Sequence, residues 1–321
     1  MRRPAKLAAP FYALLVCALV CGACFCFTIT PPSGHGTDFL PLYTAGKLLG
    51  TGDIYSPPRF YRQELAIAGY FGPNLLFARP PFVALLAWPL SRFSWPRANT
   101  IWLALRLLAL VGFVFLWPGS RRDALLVCVV WLPLAAAVAN GQDSPLVLLW
   151  MAIAERYRSR HRILAGAAWS LCLAKFNLFL FLPVFLWVRR RNVFPAFAAG
   201  AALLFVASFA AGRDWFARYL AVVRLPQVLN PALMPNLHGL RLPLPVELTL
   251  MTAVLIGSLA AIRYLREPWA YAAMLAGSVL LSYHCYLADL TVLLPAVLMV
   301  WGERTRETVP AFGGSAASDA V

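Results

Sequence analysis

The run TIWLALRLLALVGFVFLW, residues 100–117, decides the class of fold because Arg106 is its only charged residue. PFYALLVCALVCGACFCFTI (10–29) and FPAFAAGAALLFVASFAAG (194–212) are similar. A helix that crosses a bilayer needs about 20 mostly apolar residues. Of the 321 residues, 61% are hydrophobic and 13% are charged, with a mean hydropathy of +0.71. We therefore predict an all-α integral membrane protein.

The net charge of +15 is no evidence for a nucleic-acid partner. The basic residues form short clusters between apolar runs, as expected for topology signals and lipid-headgroup contacts. The seven cysteines have no zinc-site or disulfide spacing, so we interpret them as small apolar fillers. We predict membrane lipids, and no nucleic acid, among the partners.

The segment PPFVALLAWPL (80–90) sets the predicted topology. It is about half the length that spans a bilayer and begins with two prolines, so we interpret it as re-entrant or interfacial. With that choice every basic cluster faces the cytoplasm, as the positive-inside rule requires. The clusters are Arg2/Arg3/Lys6, Arg121/Arg122, Arg156/Arg158/Arg160/Arg162, Arg189/Arg190/Arg191, Arg263/Arg266 and Arg304/Arg306.

The resulting architecture is one polytopic domain (1–303) of about ten transmembrane helices and a short cytoplasmic tail (304–321). The first helix serves as an uncleaved signal anchor, and 31–99 forms an outer loop that contains the interfacial segment. Both termini are cytoplasmic, and the protein is expected in the inner (plasma) membrane. The predicted spans are 11–30, 100–118, 124–139, 145–155, 163–175, 177–188, 193–211, 246–262, 268–283 and 288–302.

This topology puts the unusual polar stretches on the outer, periplasmic face, which predicts a functional site there. They are GHGTDFLPLY (34–43), Arg79, NGQDSP (140–145), AKFN (174–177), MPNLHGL (234–240) and SYHCYLAD (282–289). The candidate residues are Asp38, Tyr43, Arg79, Gln142, Asp143, Lys175, Asn236, His238, His284 and Asp289.

Each candidate also has a structural interpretation. Asp38 either caps a helix that starts in TDFLPLYTAGKLL or acts as a general base. Arg79 either anchors the interfacial segment by snorkelling or binds a phosphate. Lys175 either marks the tip of a helical hairpin or supplies a second positive charge to that phosphate. Asp143 either caps the next helix or, with Gln142, binds sugar hydroxyls.

His238 and His284 are two of only four histidines, and either is a structural residue or a ligand-binding one. A metal site built from Asp38, His238, His284 and Asp289 finds no support in their spacing. We therefore assign no cofactor from the sequence, and a divalent metal stays open.

Five stretches in order resemble the polyprenol-phosphate-dependent glycosyltransferases of the GT-C fold. The nearest resemblance is to glycosyltransferase family 87, which includes the mycobacterial phosphatidylinositol mannoside mannosyltransferases. The stretches are DFLPLYTAGKLLGTGDIYSP (38–57), RPPFVALLAWPL (79–90), NGQDSPLVLLWMAIAERYRSRHRILAGAAWSLCLAKFNLFLFLP (140–183), NLHGL (236–240) and SYHCYLADLTVLLPAVL (282–298).

The resemblance implies transfer of a hexose, mannose in the first instance, from a polyprenyl-phosphate sugar to a hydroxyl of a lipid or glycan acceptor. Asp38 would be the base of an inverting reaction. Arg79, Lys175 and His284 would bind the donor phosphate. Sugar or acceptor would contact Tyr43, Gln142, Asp143, Asn236, His238 and Asp289.

One departure from the family is Lys175-Phe176, where its members usually have Lys-Pro. The alternative functions are a transporter or flippase of lipid-linked sugars and a non-catalytic protein of envelope assembly. A transporter would place charges near mid-membrane on broken helices, and here the polar stretches gather at one face.

Overall fold

The computed structural model describes residues 37–70, 76–225, 228 and 231–308, and within these ranges the chain is all-helical. Fourteen α-helices alternate with short 3-10 segments and turns, and the described ranges contain no strand. The helices are α1 (Phe39–Leu48), α2 (Pro57–Ala68), α3 (Pro81–Ala87), α4 (Trp95–Leu116), α5 (Arg121–Val130), α6 (Leu132–Ala139), α7 (Ser144–Tyr157), α8 (Arg162–Leu171), α9 (Leu182–Arg189), α10 (Phe194–Ala207), α11 (Trp215–Val223), α12 (Leu244–Tyr264), α13 (Glu267–Leu281) and α14 (Leu294–Thr308).

Three of the described helices are long and apolar enough to cross a membrane. They are α4, α12 and α10 with its 3-10 continuation to Ala211, and α5 with α6 makes a fourth if a bend of 69° lies within one span. The predicted count of about ten is not confirmed. The other predicted spans that lie in the described ranges are shorter helices, such as the eight-residue α9, and the predicted span 11–30 lies outside those ranges.

The segment predicted to be re-entrant is a short helix. α3 has seven residues, which is too few to cross a bilayer, and a 3-10 turn at Leu90–Arg92 follows it. It packs closely on α1, because a Cβ on Gly46 would come within 3.2 Å of the backbone of Ala87. This packing joins α3 to α1.

Two buried clusters meet along α7. In the first, Phe39 of α1 stacks on Trp95 and Trp102 of α4 with ring centroids 5.5 and 4.8 Å away. The second gathers α7, α8, α9 and α13 around the buried rings of Trp169 and Tyr271. Because α7 packs against both α4 and α8, it forms the shared axis of the bundle.

An ion-pair cluster lies at the end of α7 that carries the predicted cytoplasmic arginines. Arg190 contacts Glu155 of α7, and its Nη2 is 2.7 Å from Oε1 of Glu267, which also contacts Arg158. The side chains of Arg190 and Glu155 are 5% and 1% exposed. The cluster ties α7, α9 and α13 together at this end.

Replacing Arg190 by methionine should destabilise the protein by about 3–5 kcal/mol, because Glu155 would keep a buried charge without its main partner. Thermal unfolding of the detergent-solubilised protein measures the change. Arg191→Met is the matched control, since Arg191 is exposed and its side chain donates, among the described residues, to the carbonyl of Trp187 in the preceding helix. Equal melting temperatures for Arg190→Met and the control would contradict the role of the cluster.

Candidate active site

Most of the predicted site residues meet at one cavity of about 270 Å³, although they come from distant parts of the chain. The cavity lies between the start of α1, the segment before α3, the turn before α7, the break after α8 and the loop after α13. The predicted residues that line it are Asp38, Arg79, Gln142, Lys175, His284 and Asp289. Asp143 contacts two of them from behind the cavity wall.

Asp38 occupies the N-cap position of α1, but its side chain makes no capping hydrogen bond. Instead, Nε2 of Gln142 donates to its Oδ2 at 2.6 Å. Asp143 stands in the same way at the N-cap of α7 without capping it, and accepts a hydrogen bond from Arg79. Both carboxylates that the sequence offered as caps are therefore turned toward the polar network.

The position of Asp38 is fixed by the turn at Asn140–Gly141. The backbone N–H of Asp38 donates to the carbonyl of Asn140 at 2.7 Å. Next to it, Trp102 stacks on Phe39 and donates from Nε1 to the carbonyl of Gly141 at 2.7 Å. A backbone hydrogen bond and the side chain of Trp102 thus fix the position of Asp38 relative to the turn.

This turn needs a left-handed backbone conformation at residue 141, which glycine adopts without strain. Its φ is +76°, in the left-handed region, and a Cβ there would lie 3.1 Å from Cβ of Thr37. The turn signal predicted from Asn140-Gly141 is confirmed. Because the chain reverses here, Gln142 and Asp143 leave the turn on the side of Asp38 and Arg79.

Lys175 is the centre of the charged network and is 4% exposed. It lies where α8 gives way to α9, at a non-helical backbone position with φ −119° and ψ 50°. Its Nζ donates to Oε1 of Gln142 at 3.0 Å, contacts Asp289 closely and lies 3.5 Å from Oδ1 of Asp143. Asp143 in turn contacts Arg79. Lys175 is thus both the tip of a helical hairpin and a fully engaged cation.

The charge balance of the network singles out Asp38. Arg79 and Lys175 contact Asp143 and Asp289, so two positive charges face two negative ones. Asp38 forms no ion pair within the described part of the chain, and Gln142 is the side chain that bonds to it there. A carboxylate without a salt bridge, beside a cavity, is free to accept a proton from a bound molecule.

The pKa values of Asp38 and Asp143 differ because Asp143 contacts Arg79 and Lys175, whereas Asp38 is bonded to the neutral Gln142. Burial raises the pKa of Asp38 above its ordinary value, and Gln142, Lys175 and Arg79 offset this only in part. Burial acts on Asp143 too, but Arg79 and Lys175 outweigh it and lower its pKa to about 2. Burial lowers the pKa of His284, which favours its neutral form.

Three predicted residues are not brought to the cavity. Tyr43 is buried and its hydroxyl donates to the carbonyl of Phe93 at 2.8 Å. Asn236 donates from Nδ2 to the carbonyl of Ser282 at 2.6 Å and so supports the loop that carries His284. Nδ1 of His238 lies 3.0 Å from Oε1 of Glu247. All three contacts are with groups of the protein itself, and sugar or acceptor binding by these residues stays a prediction.

Sequence reasoning missed other residues of the cavity wall. Asn177 lines the cavity and donates from Nδ2 to Oγ of Ser282 at 2.9 Å. Tyr283 also lines it, with its hydroxyl 2.7 Å from that of Tyr219. Asn177 and Tyr283 stood within stretches already marked as polar, whereas Tyr219 of α11 carried no signal in the sequence.

The rest of the cavity wall is largely apolar, and it includes Leu42, Phe77 and Phe176. Among the described residues, no group of three or more His, Cys, Asp or Glu side chains is placed to hold a metal ion. The arrangement therefore offers a basic carboxylate, paired cations close by and an apolar wall. It suits the activation of a hydroxyl next to an amphiphilic molecule.

The sequence model of glycosyltransferase family 87 matches residues 77–287, which is more than half of the chain. The match contains Arg79, Gln142, Lys175 and His284, and Asp38 lies before it. Neither a curated protein nor a solved structure gives a match to the chain.

Replacing Gly141 by alanine should lower the free energy of unfolding by about 1–2 kcal/mol, because an L-residue is strained at a left-handed φ. Denaturation of the solubilised protein measures the change. Gly257→Ala in α12 is the control, since nothing lies within 4 Å of a Cβ there and alanine favours a helix. A variant as stable as the control would show that the turn tolerates a side chain.

Proposed function

The chain belongs to glycosyltransferase family 87, and on that premise we propose a polyprenyl-phosphate sugar as donor and a hydroxyl of a lipid or glycan as acceptor. We propose that the sugar is a hexose, mannose in the first instance. The observation that carries the proposal is the carboxylate of Asp38, which faces the cavity next to Arg79 and Lys175 and forms no ion pair with any residue that the structure describes.

Asp38 would act as the general base. Its carboxylate takes the proton of the acceptor hydroxyl while the hydroxyl oxygen forms a bond to the anomeric carbon. The bond from that carbon to the phosphate oxygen breaks, and its electron pair stays on the lipid phosphate, so the configuration inverts. Burial raises the pKa of Asp38 and makes it a stronger base than an exposed aspartate.

The leaving phosphate gains negative charge, which the cations of the network would stabilise. Arg79 is 26% exposed at the cavity and has donors beyond its contact with Asp143. Lys175 is already engaged with Gln142, Asp289 and Asp143, so we assign it a supporting positive field rather than a direct bond. His284 lines the cavity and would bind the phosphate from the loop after α13.

The shape of the cavity supports a single sugar unit with a lipid attached. Its volume of about 270 Å³ is at the lower end of small-ligand pockets, which favours one hexose over an oligosaccharide. The apolar wall at Leu42, Phe77 and Phe176 suits the first isoprene units of a polyprenyl chain. The sugar itself would contact Asn177 and Asp289, which line the cavity.

We place the site on the outer face of the inner membrane. Asp143 begins α7, whereas Arg156 and Arg158 lie at its other end. A helix rises about 1.5 Å per residue, so about 20 Å separate the cavity from these arginines. Since arginine-rich loops stay in the cytoplasm, the cavity end would face outward.

Replacing Asp38 by asparagine should reduce sugar transfer by about 10²–10⁴-fold, since an amide cannot take the proton. The assay incubates membranes with labelled polyprenyl-phosphate mannose and follows incorporation into lipid or glycan. Asp53→Asn is the control, because Asp53 lies in the same outer loop but pairs with exposed Arg59 at 3.2 Å.

Equal incorporation by wild type and Asp38→Asn would remove Asp38 as the base. If neither transfers mannose but wild type transfers a sugar from another lipid-linked donor, the donor assignment changes and the enzyme class stands. A protein that moves lipid-linked sugar across vesicles without forming product would instead be a transporter.

Chelation by EDTA should leave transfer unchanged. Arg79 and Lys175 already neutralise Asp143 and Asp289, and Asp38 alone makes a poor site for a divalent ion. The same membrane assay with and without EDTA tests this. Loss of transfer that Mg²⁺ or Mn²⁺ restores would show that a metal takes part.

A further inference from the structure

Gln142 connects Asp38 to Lys175 through its side-chain amide. Its Nε2 donates to Oδ2 of Asp38 at 2.6 Å, and its Oε1 accepts from Nζ of Lys175 at 3.0 Å. Oγ of Ser144 donates to the same Oε1 at 3.3 Å. The residue is 7% exposed. Both ends of the amide are therefore occupied by the protein.

The chemistry of the two neighbours determines which way this amide points. An ammonium group has donors only and an ionised carboxylate has acceptors only. With the opposite orientation, the NH₂ group would face Nζ and the oxygen would face the carboxylate, and two hydrogen bonds would be replaced by two repulsive contacts. Lys175 thus fixes the amide, and the amide fixes Asp38.

Lys175 is itself held in place. It contacts Asp289, whose Oδ2 accepts from the backbone N–H of Tyr286 at 2.9 Å. The order of contacts is Tyr286, Asp289, Lys175, Gln142 and Asp38. It begins in the loop after α13 and ends at the start of α1, so the amide links two separate walls of the cavity.

We propose that Gln142 is a positioning residue that orients the Asp38 carboxylate and separates it from Lys175, rather than a residue that binds sugar. The inference rests on the proposed function, since it concerns the base of that reaction. With Oδ2 engaged by the amide, Oδ1 makes no hydrogen bond within the described residues and is left for the acceptor hydroxyl.

The separation of Asp38 from Lys175 has an electrostatic effect, which a comparison of Asp38 with Asp143 supports. Asp143 contacts Arg79 and Lys175 directly, and its pKa falls to about 2, where a carboxylate is a weak base. Asp38 is close to the same cations but meets one of them through a neutral amide, and its pKa is raised. The titratable and charged groups that face Asp38 across the network and cavity are Arg79, Asp143, Lys175, Tyr283, His284, Tyr286 and Asp289.

The test measures the protonation of Asp38 without relying on transfer. A hydrophobic carbodiimide modifies protonated carboxyl groups, and mass spectrometry of the peptide that carries residue 38 gives the extent of labelling at each pH. Gln142→Met removes the hydrogen bond to the charged form of Asp38, so labelling should extend to higher pH. We expect the midpoint to rise by about one pH unit, which is a tenfold change in protonation.

Gln142→Glu is a second variant of nearly the same shape, for use if the methionine variant folds poorly. It places a carboxylate against Asp38, and the midpoint should rise further. Ser144→Ala is the matched control, because it removes the longest bond to the amide and leaves those of Asp38 and Lys175. Its midpoint should stay within the error of wild type.

Lys175→Met distinguishes two effects on the pKa of Asp38: the orientation of the Gln142 amide and the direct effect of the Lys175 charge. Alone it should raise the midpoint both by loss of a nearby charge and by releasing the amide. In the Gln142→Met background only the first effect remains, so the shift should be smaller. Equal shifts in both backgrounds would overturn the orienting role of Lys175.

The outcomes distinguish the inference from the function. An unchanged midpoint in Gln142→Met and Gln142→Glu, with transfer weakened only through KM, would overturn the inference and make Gln142 a substrate-binding residue. Shifted midpoints with kcat reduced and KM retained support it. Shifted midpoints in a protein that transfers no sugar would uphold the contact with Asp38 while the proposed function fails.

Discussion

A buried ammonium group needs acceptors, and in this protein the acceptors of Lys175 come from two segments that lie far apart in the sequence. Asp289 follows α13, and Gln142 and Asp143 precede α7. An unpaired charge at this depth would cost several kcal/mol, so these segments must converge for the bundle to be stable. Arg79 and Asp38 then join through Asp143 and Gln142. The pairing of one buried cation, Lys175, thus brings the walls of the cavity together.

The helix α7 carries a polar cluster at each end, and the two clusters differ in the balance of their positive and negative charges. At the end with Glu155, the cations and carboxylates are matched to each other, and Arg190 and Glu155 are buried. At the other end, Asp38 is one carboxylate in excess of the cations among the described residues. The first arrangement serves the packing of helices, whereas the second retains a group for chemistry. This difference lies in charge balance rather than in residue type.

Much of the site was predictable from the sequence, because polar residues in an apolar chain are few and their order limits where they lie. The all-helical class and the meeting of Asp38, Arg79, Gln142, Lys175 and His284 follow from that argument. The pairing of charges does not follow, since it depends on distances between segments. The number of spans could not be predicted either, because helices buried in protein and helices that cross a membrane consist of the same apolar residues. The contact of Tyr43 with the carbonyl of Phe93 was not predictable for a related reason, as a tyrosine hydroxyl can donate to a backbone carbonyl as well as to a sugar.

Among the described residues, the long helices α10 and α12 are covered by protein over only a small part of their surface. In their most apolar windows, 17% and 11% of residues are buried inside the protein, compared with 28% in α4. The apolar surface that the described residues leave uncovered on both helices suits contact with lipid, and their tilt would follow the thickness of the hydrocarbon layer at modest energetic cost. The turn before α7 is held by protein contacts instead. Hydrophobic mismatch would then be absorbed at the periphery of the molecule, while the geometry around Asp38 stays the same from one membrane to another.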